Sequence, residues 1–363
     1  MLASLYQYIY VIIVVLITFS VMSLYNGWTP ENENGYHTGR TGLLVFWVLF
    51  FIIAIGFRPI SYQFVDMMRY HFDYEDLLGV PFSFSVETDN IVFDNIIPWL
   101  AANRLSERWF FLLISAIYFG CMAWACVKLF PNDALLAFVV CLGAFSTFSY
   151  GTNGIKAGAA ASLFLLALAY REKKVLAGLF MLLSIGFHHS MLAPIVAYVI
   201  VLFYRNPKVY LIVWIISLVL AASHITFFQS LFAGFTDEHG ASYLVVSLEN
   251  NVSGFRPDFI LYSAVPVFIG YHLIVKRQIN SDAFVFMWCV YTLTNSVFLL
   301  CTYGSFINRI AYLSWLMYPI VLLYPFVNIA WDNYQKKYLD YVVYGHLAFT
   351  VFMVFIYYGL LSS

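Results

Sequence analysis

Residues 171–208 read REKKVLAGLFMLLSIGFHHSMLAPIVAYVIVLFYRNPK. The apolar part, 175–204, is 30 residues long. As one α-helix it would extend about 45 Å, too long for a single bilayer crossing and short for two ordinary ones. Its flanks decide the matter. Arg171, Lys173 and Lys174 precede the run; Arg205 and Lys208 follow it. Basic residues collect on the cytoplasmic side of a membrane, so one crossing would leave a cluster outside. Two short crossings, or a re-entrant pair, keep both clusters inside and set His188-His189-Ser190 at the outer turn.

The rest of the chain is equally apolar. Of 363 residues 63% are hydrophobic and only 10% charged, with a mean hydropathy of +0.82. Soluble domains carry about 45–50% apolar and about 25% charged residues. Too few charges are present to coat a water-facing surface, which excludes a soluble enzyme, a disordered chain and a coiled coil. Apolar blocks fall at 5–25, 42–56, 109–130, 134–150, 155–170, 175–187, 190–204, 209–228, 258–275, 283–301, 308–330 and 341–361. They do not alternate as the strands of a membrane barrel would. The expected fold is an all-α, polytopic transmembrane bundle of about twelve spans. It forms one integral membrane domain over residues 1–363. Leu5–Leu24 is too long for the apolar core of a signal peptide, and no basic residue precedes Arg40, so this run is expected to be the first span.

Extending that register puts 11 basic residues inside and 7 outside, with both termini outside. Two outer loops are long, 57–108 and 229–257, and the first is expected to be helical. Long loops on one face are where a site can be built, so these two are its expected roof. The net charge of −1 offers no basic field for nucleic acid. The five cysteines lie inside apolar runs and form no CxxC, against a disulfide framework or a zinc site. Asn251-Val252-Ser253 matches a glycosylation sequon, a pattern too short to carry weight.

Charges near a bilayer cost at least ~2.5–3.5 kcal/mol and are functional candidates for that reason. Five clusters share the outer face. In the first, Arg58-Pro59 is expected to open a helix on which Tyr62, Asp66 and Tyr70 share a side with Arg69 nearby. An Asp66–Arg69 salt bridge with interfacial tyrosines would explain it equally well. In the second, Asn153-Gly154-Ile155-Lys156 precedes an alanine-rich helix. A cation at a helix start needs an anionic partner, unless the lysine snorkels. The third is His188-His189. Adjacent helical residues point about 100° apart, so one of the two is expected to serve a site and the other the turn, and a metal bite is excluded. The fourth, Arg256-Pro257-Asp258, is an anion site or an interfacial ion pair. The fifth is Asn308-Arg309 followed by Tyr312. Arg58, Lys156, Arg256 and Arg309 around one space would suit an anion with several phosphate oxygens, with Asp66 as a carboxylate beside them.

The order Arg58…Asp66…Tyr70, Asn153-x-x-Lys156, Phe187-His188-His189-Ser190, Arg256-Pro257-Asp258-Phe259 and Asn308-Arg309-x-x-x-Tyr resembles the EpsG family over about residues 45–315. That family usually carries Arg, often followed by Gln, where this chain has Lys156-Ala157; lysine keeps the charge without the bidentate fork. The resemblance implies a Wzy-like polymerase of exopolysaccharide, capsule or O-antigen in the bacterial cytoplasmic membrane, with its site facing outward. It implies a GT-C-like bundle. Donor and acceptor would be oligosaccharide repeats on undecaprenyl or another polyprenyl pyrophosphate, and a chain-length regulator would be a partner. On this reading Asp66, with His188 or His189 behind it, takes the acceptor proton. Arg58, Arg69, Tyr70, Asn153, Lys156, Arg256, Asp258, Asn308 and Arg309 bind the pyrophosphate and sugars, with no metal and no cofactor. A flippase or transporter would instead show polar, broken helices at mid-membrane and repeated halves. A membrane O-acyltransferase would alter acetyl groups and leave polymer length unchanged.

Overall fold

A computed structural model describes residues 3–25, 37–233, 255–304 and 307–358. Among these residues the chain forms seventeen α-helices and no strand. The sequon and the Thr236-Asp237-Glu238-His239 stretch of the second outer loop lie outside them. Among the described residues, six segments are long and apolar enough to cross a membrane: 3–23, 108–129, 257–276, 282–300, 307–327 and 335–357. Five shorter apolar helical segments are 40–56, 155–169, 174–187, 189–203 and 207–222.

These helices are apolar all round. On α1 (Tyr6–Ser23), Tyr10, Val14, Ile17 and Val21 form a buried stripe. Ile12, Leu16 and Phe19 form an equally apolar exposed one. A soluble protein would place polar residues on that second stripe, whereas a lipid-facing helix keeps it apolar. The chain is therefore a helical membrane protein.

The fold divides into two compact units, residues 1–187 with 326–328 and 332–363, and residues 188–325 with 329–331. The first holds α1 and α2 (His37–Gly56), then α3 (Val65–Asp76) and α4 (Ile96–Ala102) within the 57–108 loop. It continues with α5 (Arg108–Leu129), α6 (Ala134–Leu142), α7 (Thr147–Thr152), α8 (Ile155–Ala169) and α9 (Lys174–Phe187). Helix α17 (Gln335–Val351) packs on α6: Thr350 Oγ1 donates to Gly143 O (2.8 Å), and His346 Nε2 lies 3.1 Å from Val140 O. The second unit comprises α10 (Leu192–Phe203), α11 (Pro207–Ala222), α12 (Phe227–Ala233), α13 (Pro257–Tyr271), α14 (Asp282–Leu300), α15 (Ile307–Trp315) and α16 (Tyr318–Val327).

Three expected segments divide. The 175–204 run breaks at His188, whose backbone is extended between α9 and α10. The 134–150 run breaks after Leu142, where Gly143 ends α6 and the Thr147 hydroxyl bonds back to Cys141 O (2.6 Å), a local competitor of the helix ladder. The 308–330 run is interrupted at Trp315, because Pro319 has no N–H to give the carbonyl of residue 315 and its ring crowds that carbonyl.

The second unit is held by indoles with satisfied N–H groups. Trp214 Nε1 donates to Asn295 Oδ1 (2.8 Å), and Asn295 Nδ2 donates to Ser314 Oγ (2.9 Å), which ties α11, α14 and α15 together. Trp315 Nε1 donates to Ser263 Oγ (2.7 Å), which ties α15 to α13. All five of these residues are fully buried, so an unmade bond here would cost far more than a made one gains.

Candidate functional site

In the first unit the site is built around Phe93, which is 2% exposed. Its ring meets Tyr70 (5.5 Å between centroids), Phe110 (5.5 Å) and Phe187 (6.2 Å). Lys156 Nζ stands 5.9 Å from the same ring, within cation–π range. Two of the sequence candidates, Tyr70 on α3 and Lys156 on α8, thus converge on a residue outside every motif. Asp66 lies one turn before Tyr70, half-buried in the first turn of α3, where a carboxylate suits the helix macrodipole.

The expected helix from Pro59 is not formed. Helix α3 starts at Val65, and Tyr62 lies before it, exposed, so it does not share the Asp66–Tyr70 face. The cause is a turn at Ser61, whose carbonyl accepts from Phe64 N (3.0 Å) and whose hydroxyl accepts from Gln63 N (3.3 Å). Arg69 is exposed and acts on Asp73, one turn on, whose carboxyl partial desolvation holds above the usual range; Arg69 lowers it, while Asp76 and Asp94 raise it further.

Arg58 is 2% exposed. Its Nη1 donates to Ile55 O (2.8 Å) and its Nη2 to Thr152 O (2.8 Å), and its guanidinium lies 5.3 Å from both the Phe64 and Phe111 rings. Burial lowers this group to about 10, so it stays charged at neutral pH. It clamps the end of α2 to the α7–α8 turn, next to Asn153. The Asn153 Oδ1 atom is buried and accepts no hydrogen bond among the described residues. Helix α8 then approaches closely because Gly158 has no side chain; a Cβ there would stand 2.7 Å from Tyr150 O.

The loop is fastened at three further places that the motifs did not mark. Val92 N (2.8 Å) and Phe93 N (3.2 Å) both donate to Gly186 O near the end of α9. A Cβ on Gly186 would stand 2.6 Å from Val92 Cγ2, so only glycine admits this contact. Asn95, 7% exposed, accepts from Ser85 N (2.9 Å) and donates to Ser85 O and Ile91 O (2.8 Å each). His71 Nδ1 pairs with Glu107 Oε2 (2.7 Å) before α5, and Tyr74 OH donates to Leu105 O (2.8 Å). Asn and His in a polar loop carry no period, so only the tertiary pairing reveals them.

In the second unit, His188 Nδ1 accepts from Ser190 N at 3.5 Å, and both histidines are half-buried. Arg256 caps the start of α13 and forms a bidentate pair with Asp258: Nε donates to Oδ1 (2.9 Å) and Nη2 to Oδ2 (2.6 Å). Its guanidinium lies 3.9 Å from the centre of the Phe259 ring. Asn308 is half-buried and Arg309 exposed, both in the first turn of α15, and Tyr312 packs on Trp315 (5.5 Å). A histidine outside the motifs, His224, ends α11 with φ 58°; its Nδ1 lies 3.1 Å from Tyr303 OH, the rings 4.4 Å apart. Among the described residues no group of three or more His, Cys, Asp or Glu side chains is arranged to hold a metal ion.

The model of the EpsG family matches residues 41–362, which takes in every one of these groups. The chain belongs to the EpsG family. No curated protein and no solved structure matches it. The match extends past the 45–315 range that carried the resemblance in sequence, so α17 is part of the EpsG body as well. An EpsG chain with this apolar helical architecture is a membrane protein of polysaccharide biosynthesis.

Proposed function

We propose that this EpsG protein is a membrane glycosyltransferase that joins polyprenyl-pyrophosphate-linked oligosaccharide repeats into a surface polysaccharide on the outer face of the cytoplasmic membrane. A twelve-crossing, GT-C-like bundle belongs to the same proposal. The observation that carries it is local to the first unit. Tyr70 and Lys156 converge on Phe93, and Asn153, three residues before Lys156, has a buried amide oxygen that accepts no hydrogen bond among the described residues. A cation, an aromatic face and a free acceptor suit a sugar carrying a phosphate.

In the proposed reaction the acceptor hydroxyl attacks the anomeric carbon of the donor. The bond from that carbon to the pyrophosphate oxygen breaks, and the polyprenyl pyrophosphate leaves with the electron pair. Asp66 takes the hydroxyl proton, with His188 or His189 as second candidates. Lys156 in the first unit neutralises the leaving group, and Arg256 and Arg309 in the second are the cations proposed for substrate phosphates. Arg58 is given a supporting part, because both of its Nη atoms already donate to backbone carbonyls. Asn308, Arg69 and Tyr70 complete the binding residues. The test is a chromosomal Asp66→Asn strain. Surface glycan reduced to single repeats, with the protein at normal level, is the expected result; polymer of normal length would remove Asp66 from the mechanism.

A further inference from the structure

The Arg256 fork is already filled by an anion of the chain's own. Both Asp258 oxygens meet guanidinium nitrogens, at 2.9 and 2.6 Å, the two-point geometry that a phosphate also presents. We infer that Asp258 is an internal stand-in for a substrate phosphate, held in the Arg256 fork until a pyrophosphate displaces it. The inference rests on the proposed function, since it names how one of the cations of that site is kept ready.

Three features make the carboxylate displaceable while the fork stays in place. First, the guanidinium is oriented from another side. It lies on the Phe259 ring at 3.9 Å, and Phe259 is 3% exposed and edge-on to Trp315 (5.0 Å, 81°). Trp315 is in turn fixed by its bond to Ser263 and by Tyr262 (5.0 Å), which stacks flat on Tyr318 (4.1 Å, 6°). The arginine therefore keeps its plane without Asp258. Second, the pair is reachable: the two side chains are 27% and 15% exposed. Third, Asp258 keeps a favourable field when it leaves the fork. It occupies the first turn of α13, after Pro257, where the helix macrodipole attracts a carboxylate. Without this carboxylate the guanidinium would have one anion fewer beside it whenever substrate was absent. A tethered carboxylate supplies that anion and swings out of the fork when a phosphate arrives.

The sign of the predicted effect separates this role from a structural one. The experiment measures binding of inorganic pyrophosphate and of farnesyl pyrophosphate to the purified full chain in nanodiscs of zwitterionic lipid, which offer no anionic headgroup as competitor. Asp258→Asn and Asp258→Ser are both expected to bind each probe about threefold to fivefold tighter than the unaltered protein, the size of one partly exposed ion pair. A carboxylate that merely supports the fold would give weaker binding when removed. Arg256→Ala is expected to weaken binding at least tenfold, and adding Asp258→Asn to it is expected to change nothing further. Unchanged or weaker binding by both Asp258 variants overturns the stand-in role. So does tightening that persists in the Arg256→Ala background, because the carboxylate would then act by general charge alone. If Arg256→Ala and Arg309→Ala both bind pyrophosphate like the unaltered protein, the proposed function itself fails at these residues, a different result from the other two.

Discussion

Lys156 holds its ammonium 5.9 Å from the centre of the Phe93 ring, although the two residues lie on different elements and only one of them belongs to a recognisable motif. The same ring meets the Tyr70 ring, 5.5 Å away between centroids. Its position is set from below by two backbone hydrogen bonds to Gly186.

Lys156→Arg is expected to retain polymer, since the charge and the ring contact both survive, and arginine stacks on aromatic faces at least as well. Lys156→Met is expected to leave single-repeat glycan. Gel profiles of surface polysaccharide, read against protein level by immunoblot, decide it. Full-length polymer from the methionine variant would show that the cation is dispensable.

Gly186→Ala pushes a methyl to within 2.6 Å of Val92 Cγ2. Overpacking of this kind costs about 1–3 kcal/mol. A lower melting temperature is expected, with recovery in the double variant Gly186→Ala/Val92→Ala, where the clashing methyls are gone. Melting of the purified protein in detergent reports both, and a single variant as stable as the parent would rule out the steric account.

Asn95→Ala removes three hydrogen bonds from a buried side chain and leaves Ser85 N and O without these partners. A loss of about 1–3 kcal/mol of local stability follows for residues 80–92. Amide exchange measured by mass spectrometry should speed up there and stay unchanged in α5. Equal exchange in loop and helix would mean that the loop does not open as a unit.

Asp73 is exposed, yet its carboxyl lies above its usual 3.8, chiefly through partial desolvation, with Asp76 and Asp94 adding to it. Such a group takes stability away at neutral pH, and the loss is recovered as pH falls through the raised value. Asp73→Asn is therefore expected to melt higher than the parent at pH 7, with the difference closing towards pH 4. A difference that grows on acidification would contradict this sign.

The apolar period of α1 or α14 needs no partner to be recognised, because desolvation of a long run acts on the run itself. For the same reason the flanking charges foretold the division of 175–204, and the structure puts it at His188. Breaks at Gly143 and Trp315 were harder. They depend on single residues, a hydroxyl returning to a carbonyl and a proline crowding one, which the average hydropathy of a window conceals. The start of α3 at Val65, six residues after Pro59, shows the same effect of a local turn over a general preference.

The sequence by itself determined that the chain is helical and built for a bilayer, which residues are charged between its apolar runs, and which family it resembles. These follow from composition and short motifs, which are local. Only the tertiary structure decided that Arg58 is committed to backbone carbonyls, that Arg256 is matched by Asp258 on a Phe259 platform, and that Phe93 gathers Tyr70 and Lys156. The reason is physical. A guanidinium or an ammonium is satisfied by whichever acceptor or ring the packing brings within a few ångströms, and that partner can be two or ninety residues away.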